Sequence, residues 1–395
     1  MGANPTRLLT MVSIDKKPYD GVDWDNLADP NGTGNPPKTE FHNHARGSGP
    51  TATKHGVIDL YAGEGPDDDG NYIDEPYTIF AQAPSSGPAA WPWTELSNIF
   101  DGEYENRDPE ELGVVAFPAY ELHFGTHINV LFSTVRDVDV RRGGIPEKAG
   151  DPIGLDAERG VPAAITGFAH PEQYIDNISE MTDREYERYR FNVERMGFDD
   201  GLGVMEIFNR RDTIPSQSMI LWDRLLSDFA PGDWIWGCGV DDPRLDYVVG
   251  GEVDRGWTSV LVHEDEFDPS EQVESRQHAY DAFINGRLLS HQRIGWDAEN
   301  EDAPEPPMPL SIETDGTTIT WDFDAGSGAE TVVKVIADRD VVETGGASGE
   351  YEITNSDVPY ARLQAETGDD LDGGDVIGGD VDALTTTQPW LLGQS

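Results

Sequence analysis

Short apolar runs alternate with longer, more polar segments across the middle of the chain. The runs are rich in β-branched and aromatic residues, which predicts strands. They lie at residues 113–117, 163–168, 203–208 and 234–236. The longer segments predict helices at residues 179–196, 216–229 and 270–289, the last opened by a Pro-Ser-Glu cap. Alternating strands and helices predict an α/β fold, built as a parallel sheet or a (β/α) barrel.

The composition changes at both ends of this alternating region. Residues 1–38 are rich in Asp, Asn, Gly and Pro and predict an extended N-terminal arm. A run of acids and prolines at 299–309 predicts a linker, and the polar–apolar alternation around Asp315-Gly316 predicts a β-hairpin. We therefore expect three parts: an arm at 1–38, an α/β domain at 39–300 and a β-sandwich domain at 301–395.

Acidic side chains dominate the chain, with 76 Asp and Glu against 27 Lys and Arg and a formal net charge of −49. A surface this negative repels phosphate backbones and anionic lipids, so we expect neither nucleic acid nor a membrane as a partner. Only six of the basic residues are lysine. Short carboxylates with few lysines suit concentrated salt, where a Debye length of roughly 3 Å at 1 M screens their repulsion. We expect a halophilic source, with the protein in a halophile's cytoplasm or in a virion.

Cysteine usage and hydropathy exclude two further classes of protein. The single cysteine, Cys238, lies in an apolar run, which predicts a buried thiol rather than a nucleophile and allows no internal disulfide. No stretch approaches the roughly 18 apolar residues that span a bilayer, and residues 1–15 lack the features of a secretory signal. We therefore expect neither a disulfide-rich nor a membrane-spanning protein.

Histidines and carboxylates near the ends of predicted strands form a candidate metal site. His42 and His44 make a His-x-His pair, and residues i and i+2 of a strand face the same side, so both imidazoles could bind one ion. Further acids and histidines lie at or near the ends of later apolar runs, where a (β/α) barrel collects its catalytic groups. They are Glu121, His127, His170, Glu206 and Asp241-Asp242.

The order of these residues resembles the polymerase and histidinol phosphatase (PHP) family of metallohydrolases, over residues 39–290. The resemblance implies a distorted (β/α)7 barrel that binds divalent metal ions at the C-terminal ends of its strands and hydrolyses phosphoesters. It also implies two ligand sets that share one bridging carboxylate. They are His42, His44, Glu121 and Asp242 for one ion, and Glu121, His127 and His170 for the other.

The sequence departs from the family pattern at positions that would bind a third metal ion. Ser48-Gly49-Pro50 stands where the family has an acidic or histidine ligand, and its Thr-Asp-His motif is not visible. Asp242-Pro243-Arg244 stands where the family ends in Asp-x-His. We therefore expect two divalent ions, which could be Zn, Mn or Fe. Arg244, with Arg46 as a second candidate, is expected to supply the positive charge that the third ion provides in the family.

Other residues are candidates for proton transfer and for orienting the ligands. His55 or His123 is a candidate proton donor to the leaving group. Glu206 is expected to orient a ligand or Arg244. These assignments make Arg244, His55, His123 and Glu206 the candidate catalytic residues.

The spacing of the motifs leaves two alternatives open. Asp241 could bind the metal instead of Asp242, and His123 could do so instead of His127. The later histidines fall in predicted loops and helices and are expected to be structural. These are His263, His278 and His291.

The leading functional hypothesis is a PHP-type, metal-dependent hydrolase that acts on a phosphoester or a similar small anionic substrate through water activated by two ions. The alternative is a PHP-derived structural or binding component of a haloarchaeal virus, with weak or no catalysis. The N-terminal arm and the predicted β-sandwich favour this alternative, because they could mediate virion assembly or homo-oligomerisation.

Overall fold

The structure is a computed structural model of the 395-residue chain. It describes residues 12–42, 76–82, 109–124, 126–132, 165–171, 181–195, 203–209, 217–230, 235–242, 255–294, 304–324, 330–355, 357–371 and 379–394. Within these segments, no helix is long and apolar enough to cross a membrane.

Strands dominate the described segments. Those before residue 300 are β1 (Val12–Lys16), β2 (Lys38–Glu40), β3 (Ile79–Gln82), β4 (Val115–Phe124), β5 (Thr126–Leu131), β6 (Ile165–Ala169), β7 (Gly203–Asn209), β8 (Ile235–Val240), β9 (Gly256–Val260) and β10 (Leu288–Arg293). Those after it are β11 (Pro309–Thr314), β12 (Thr318–Phe323), β13 (Glu330–Ala337), β14 (Asp340–Gly345), β15 (Ser348–Glu352), β16 (Tyr360–Leu371), β17 (Gly379–Thr387) and β18 (Trp390–Gln394). The α-helices are α1 (Pro109–Leu112), α2 (Asp183–Arg195), α3 (Gln217–Phe229) and α4 (Gln272–Asn285), and 3-10 turns lie at Trp24–Asn26 and Glu264–Glu266.

Most strands belong to one 15-stranded sheet. Its main path runs β1-β18-β16-β17-β10-β9-β2-β3-β4-β5-β6-β7-β8, and β13 and β14 extend it from β16. The pairs β2–β3, β3–β4, β6–β7 and β7–β8 are parallel. The sheet curls so that β8, at the end of the path, lies against β9 and β10. This curl brings the C-terminal ends of β2, β6 and β8 together.

The predicted (β/α)7 barrel is wrong, because antiparallel pairing interrupts the parallel strands. A single residue, Gly125, separates β4 from β5 and leaves no room for a helix, so the two strands form an antiparallel hairpin. β5 also pairs antiparallel with β6, and β9 pairs antiparallel with both β2 and β10. The described chain is therefore mainly β-sheet with a few helices, rather than a regular alternation of the two.

The strands predicted to form a C-terminal β-sandwich domain are divided between the main sheet and a small second sheet, and the domain itself stays a prediction. β17 pairs with β10, with Leu289 opposite Thr387, so the main sheet continues past residue 300. β11, β12 and β15 form a separate three-stranded sheet, confirming the hairpin at Asp315-Gly316. Trp321 of this small sheet and Leu363 of the main sheet belong to the same second hydrophobic cluster. The domain boundaries at residues 38 and 300 stay predictions.

Helix α4 is shorter than predicted from the sequence. Gly286 has φ of 68° and its N–H bonds back to Phe283, which ends the helix in a left-handed cap. Leu288 and Leu289, predicted as the last helical residues, instead begin β10. An apolar pair fits either element, and the preceding glycine decides between them.

The main hydrophobic cluster lies between the sheet and helices α2, α3 and α4. Trp222 of α3 is fully buried there and donates a hydrogen bond from Nε1 to the Ile235 carbonyl at 2.8 Å. Cys238 is also fully buried, and burial raises the pKa of its thiol. A thiol in this state is a core side chain and not a nucleophile.

Buried ion pairs connect α3 to the C-terminal strands. Arg362 of β16 donates from Nε and Nη2 to the two carboxylate oxygens of Asp223, at 2.9 and 2.7 Å. Gln364 bridges Arg362 to Glu366, and Glu366 pairs with Lys334 of β13 at 2.8 Å. We refer to these five residues as the ion-pair cluster. All are at most 3% exposed, so each charge is compensated inside the protein.

Candidate metal centre

Three potential metal ligands meet where strands end. His42 follows β2 by two residues, His170 follows β6 directly, and Asp242 follows β8 by two residues. Each of the three residues is fully buried. One ligand atom from each lies within 4.8 Å of the other two, which is close enough for one ion to contact all three. We call these three residues, together with Glu206, the metal centre.

The two histidine rings and the Asp242 carboxylate face one another. The rings of His42 and His170 are stacked, with centroids 5.2 Å apart and an interplanar angle of 28°. Nε2 of His42 lies 3.7 Å from Oδ1 of Asp242. This distance is longer than a hydrogen bond, so the two atoms do not bond to each other directly. An ion between them would coordinate both atoms.

Glu206 of β7 holds the histidines in place. Its Oε1 lies 2.6 Å from Nδ1 of His42, and its Oε2 accepts the backbone N–H of His170 at 2.7 Å. Two amide side chains, from Asn129 and Asn209, also donate to the carboxylate, at 2.6 and 3.3 Å. The contact at Nδ1 leaves Nε2 of His42 as the nitrogen that faces Asp242. A carboxylate behind a metal-binding imidazole typically fixes its tautomer and orientation in this way.

Glu40, for which the sequence predicted no role, connects two of the ligand-bearing segments. Its Oε1 accepts the N–H of His42 at 2.7 Å, and its Oε2 accepts the N–H of Asp241 at 2.8 Å. Burial and the neighbouring Asp241 carboxylate raise the pKa of Glu40 well above its usual value. The available signal was its position two residues before His42, since alternate residues of a strand face the same side.

Backbone strain accompanies two of the three candidate ligands. His170 has φ of 27° and Asp242 has φ of 44°, in a region that non-glycine residues seldom adopt. Strained backbone at the ends of β6 and β8 requires the surrounding structure to hold it, and such strain concentrates at functional sites. At Asp242 the preceding residue is held by Glu40, and at His170 the residue's own N–H is held by Glu206.

His127 lies beside the metal centre. Its Nδ1 is 3.2 Å from Nε2 of His170, and the two rings meet edge to face with centroids 4.7 Å apart. His127 is half-buried and lies on β5, opposite Ala169 of β6. A partly exposed histidine is therefore in direct contact with the ring of a candidate ligand.

The other predicted site residues are placed only in part. Glu121 and His123 lie on β4, opposite Asn129 and His127 of β5, and their side chains are outside the described part of the structure. The remaining predicted residues lie outside the described segments altogether. These are His44, Arg46, His55 and Arg244.

The donor set of the metal centre fits a divalent transition metal. Two imidazole nitrogens and one carboxylate oxygen are ligands that Zn, Mn and Fe accept, and three protein ligands leave coordination positions for water or substrate. Full burial of the ligands also favours an ion, because buried carboxylates need positive charge nearby.

Comparisons with known proteins give no match, whether with protein-family models, curated proteins or solved structures. The resemblance of the motif order to the PHP family therefore stays a prediction. A function for the metal centre rests on the geometry and chemistry of its own residues.

Proposed function

We propose that this protein is a metal-dependent hydrolase of anionic esters, with phosphoesters as the expected substrate class. The observation that carries the proposal is the buried convergence of His42, His170 and Asp242 within 4.8 Å. Each of the three follows a different strand, and the backbone is strained at two of them. Such an arrangement is costly for folding alone and is typical of a functional site.

The chain's own residues prepare the centre for an ion. Glu206 accepts hydrogen bonds around its carboxylate and keeps Nε2 of His42 directed towards Asp242. Glu40 accepts one backbone N–H from the segment after β2 and one from the segment after β8, and so connects the two segments. A bound divalent ion would supply Lewis acidity, lowering the pKa of a bound water and polarising an ester oxygen.

A second ion remains part of the proposal through His127. The resemblance groups His127 with His170 in a second ligand set, and this proposal is supported by the 3.2 Å contact between the two rings and by the partial exposure of His127. The described residues supply one set of three ligands. The number of ions bound per chain is therefore a direct experimental question.

The experiment is metal analysis and hydrolysis by the full chain, purified in concentrated KCl. Zn²⁺ and Mn²⁺ would be added in turn, with a nitrophenyl phosphodiester and a nitrophenyl phosphomonoester as substrates. We expect binding of at least one ion per chain and metal-dependent hydrolysis, both lost in His42→Ala and in Asp242→Asn. His278→Ala is the matched control, because His278 is a half-exposed histidine paired with Glu266 and outside the centre.

Two outcomes contradict the proposal in different ways. A wild-type chain that binds neither ion would remove its basis. Metal binding without hydrolysis of either substrate would contradict the enzymatic role and favour a binding or structural protein.

A further inference from the structure

Among the described residues, the strand that leads to Asp242 is attached on one side by side chains rather than by a strand ladder. β8 ends the path of the main sheet and pairs along its backbone with β7. On its other side, backbone groups of Gly237 and Gly239 bond to side chains from β9, β10 and the turn before β18. These side chains are Thr258, Ser290 and Gln388, and we call them the β8 clasp.

Thr258 makes the clasp contact that is nearest to the metal centre. Its Oγ1 accepts the N–H of Gly239 at 3.0 Å and donates to the carbonyl of the same residue at 2.8 Å. Both partners are backbone groups, so the hydroxyl fixes the local position of the strand and not merely of a side chain. Asp242 follows three residues later.

At Gly239, the backbone of β8 lies too close to the backbones of β9 and β10 for any larger residue. A Cβ on Gly239 would lie 2.3 Å from the carbonyl oxygen of Trp257 and 2.9 Å from that of His291. β8 therefore rests directly on β9 and β10 at this point, which only glycine permits. The hydroxyl of Thr258 supplies the polar partner that the buried backbone groups of Gly239 require.

The other two clasp residues bind β8 two residues earlier, at Gly237. Ser290 donates from Oγ to the carbonyl of Gly237 at 2.8 Å. Gln388 accepts the N–H of Gly237 at 2.8 Å and donates to its carbonyl at 2.7 Å. These contacts lie farther along the chain from Asp242, so we expect their loss to displace the carboxylate less than loss of the Thr258 contact.

We infer that Thr258 is a positioning residue that sets the placement of the Asp242 carboxylate relative to His42 and His170. This inference rests on the proposed metal binding, because metal affinity reports the placement. Without the hydroxyl, the end of β8 keeps the Glu40 contact to the Asp241 N–H and the pairing of Val240 with β7, but loses the side chain that fixes both backbone groups of Gly239. The candidate ligands then lose the spacing that lets one ion contact all three.

The test compares isosteric removal of the hydroxyl with its retention. Thr258→Val and Thr258→Ser would be titrated with Zn²⁺ in competition with a chromophoric chelator. Thr166→Val is the matched control, because Thr166 is buried in β6, the strand directly before His170, and its hydroxyl bonds to no described residue. Ser290→Ala tests whether a β8 contact farther from Asp242 has a smaller effect on Zn²⁺ affinity.

We expect Thr258→Val to weaken Zn²⁺ binding about tenfold or more, the usual effect of removing an orienting contact around a metal ligand. Thr258→Ser and Thr166→Val should bind within about twofold of wild type, and Ser290→Ala should fall between. With Co²⁺ at saturation, the visible absorption of Thr258→Val should differ from wild type, because the spectrum reports coordination geometry and not stability.

Failure of this inference is distinguishable from failure of the proposed function. A wild-type chain that binds no Zn²⁺ or Co²⁺ overturns metal binding itself. A folded Thr258→Val chain with wild-type affinity and spectrum overturns the positioning role. If the valine variant does not fold, Thr258→Ser and Ser290→Ala decide: equal losses of affinity in the two would contradict the inference.

Discussion

The metal centre and the ion-pair cluster are both buried and polar, and they balance their charges in different ways. In the ion-pair cluster, the guanidinium of Arg362 meets Asp223 at 2.7 Å and the ammonium of Lys334 meets Glu366 at 2.8 Å. In the metal centre, carboxylate oxygens of Glu206 and Asp242 lie 2.6 and 3.7 Å from the two ring nitrogens of His42. Arginine and lysine bring a fixed positive charge, whereas imidazole brings one only when protonated.

The difference supports the proposed metal site and a structural role for the ion-pair cluster. Fixed opposite charges in direct contact join α3, β13 and β16 and require nothing from outside the chain. Carboxylates gathered around imidazoles, on strained backbone, form instead a set of ligands that an added cation would complete. Buried polarity alone therefore does not identify a site, and the identity of the partner group does.

Breaking the ion-pair cluster should have the largest effect on stability. Arg362→Met leaves the Asp223 carboxylate buried without its bidentate partner, so we expect a loss of about 3–5 kcal/mol in the free energy of unfolding. Denaturant titration measures it. The double variant Arg362→Met, Asp223→Leu should recover much of the loss, and a single-variant loss below about 1 kcal/mol would contradict a stabilising role.

Metal binding should stabilise the wild-type chain by an intermediate amount. With free Zn²⁺ at about 100 times the dissociation constant, the expected gain is about 2.7 kcal/mol. His42→Ala should show none of it, whereas His278→Ala should show all of it. Thermal unfolding with and without Zn²⁺ measures the gain. An equal gain in His42→Ala would place the ion elsewhere in the protein.

The pH dependence of stability should separate a neutral core histidine from the metal centre. Burial, and secondarily Lys38, lowers the pKa of His291 from 6.5 to about 3. The unfolded chain then binds the extra proton below 6.5, so stability falls with decreasing pH from about 6.5 towards 3, by up to about 1.4 kcal/mol per pH unit. Glu40 acts in the opposite direction, since its raised pKa means that stability falls as pH rises above 4.5.

Replacing His291 tests whether this residue causes the fall in stability at acidic pH. His291→Gln should flatten the fall between pH 6 and pH 4, as measured by urea unfolding at several pH values. The comparison is best made in a Glu40→Gln background, which removes the opposing carboxylate. An unchanged slope in His291→Gln would mean that other groups account for the acid sensitivity.

The smallest effect should come from an exposed ion pair on α2. Arg190 and Glu187 lie 3.2 Å apart on the helix surface, where solvent and salt screen the charges. Arg190→Ala should change the free energy of unfolding by about 0.5 kcal/mol or less. A change as large as that of Arg362→Met would show that burial is not what distinguishes the ion-pair cluster.

The elements were more predictable than their arrangement. The runs that became β6, β7 and β8, and the helix that became α3, are close to their predicted positions, because periodicity and caps are local signals. The pairing partners were not predictable in the same way. The antiparallel return of β5 and the pairing of β17 with β10 depend on contacts between distant residues.

The residue types of the candidate site could be predicted from the sequence, whereas their arrangement could be predicted only in part. His42, His170 and Asp242 were expected to bind metal, and the structure brings them together, although in the predicted scheme His170 and Asp242 bound different ions. Glu40 was missed, because a carboxylate that binds backbone N–H groups has no motif of its own. The clasp residue Thr258 was missed for the same reason.

The sequence by itself determined that the chain is strongly acidic, that its apolar runs form strands, and that histidines and acids follow several of them. These properties depend on composition and local periodicity, which a linear chain already contains. Only the tertiary structure decided that the strands form one curled, mixed sheet and that three of their ends meet. Pairing partners, close backbone contacts and the burial of charge depend on the whole fold, since each is set by residues far apart in the chain.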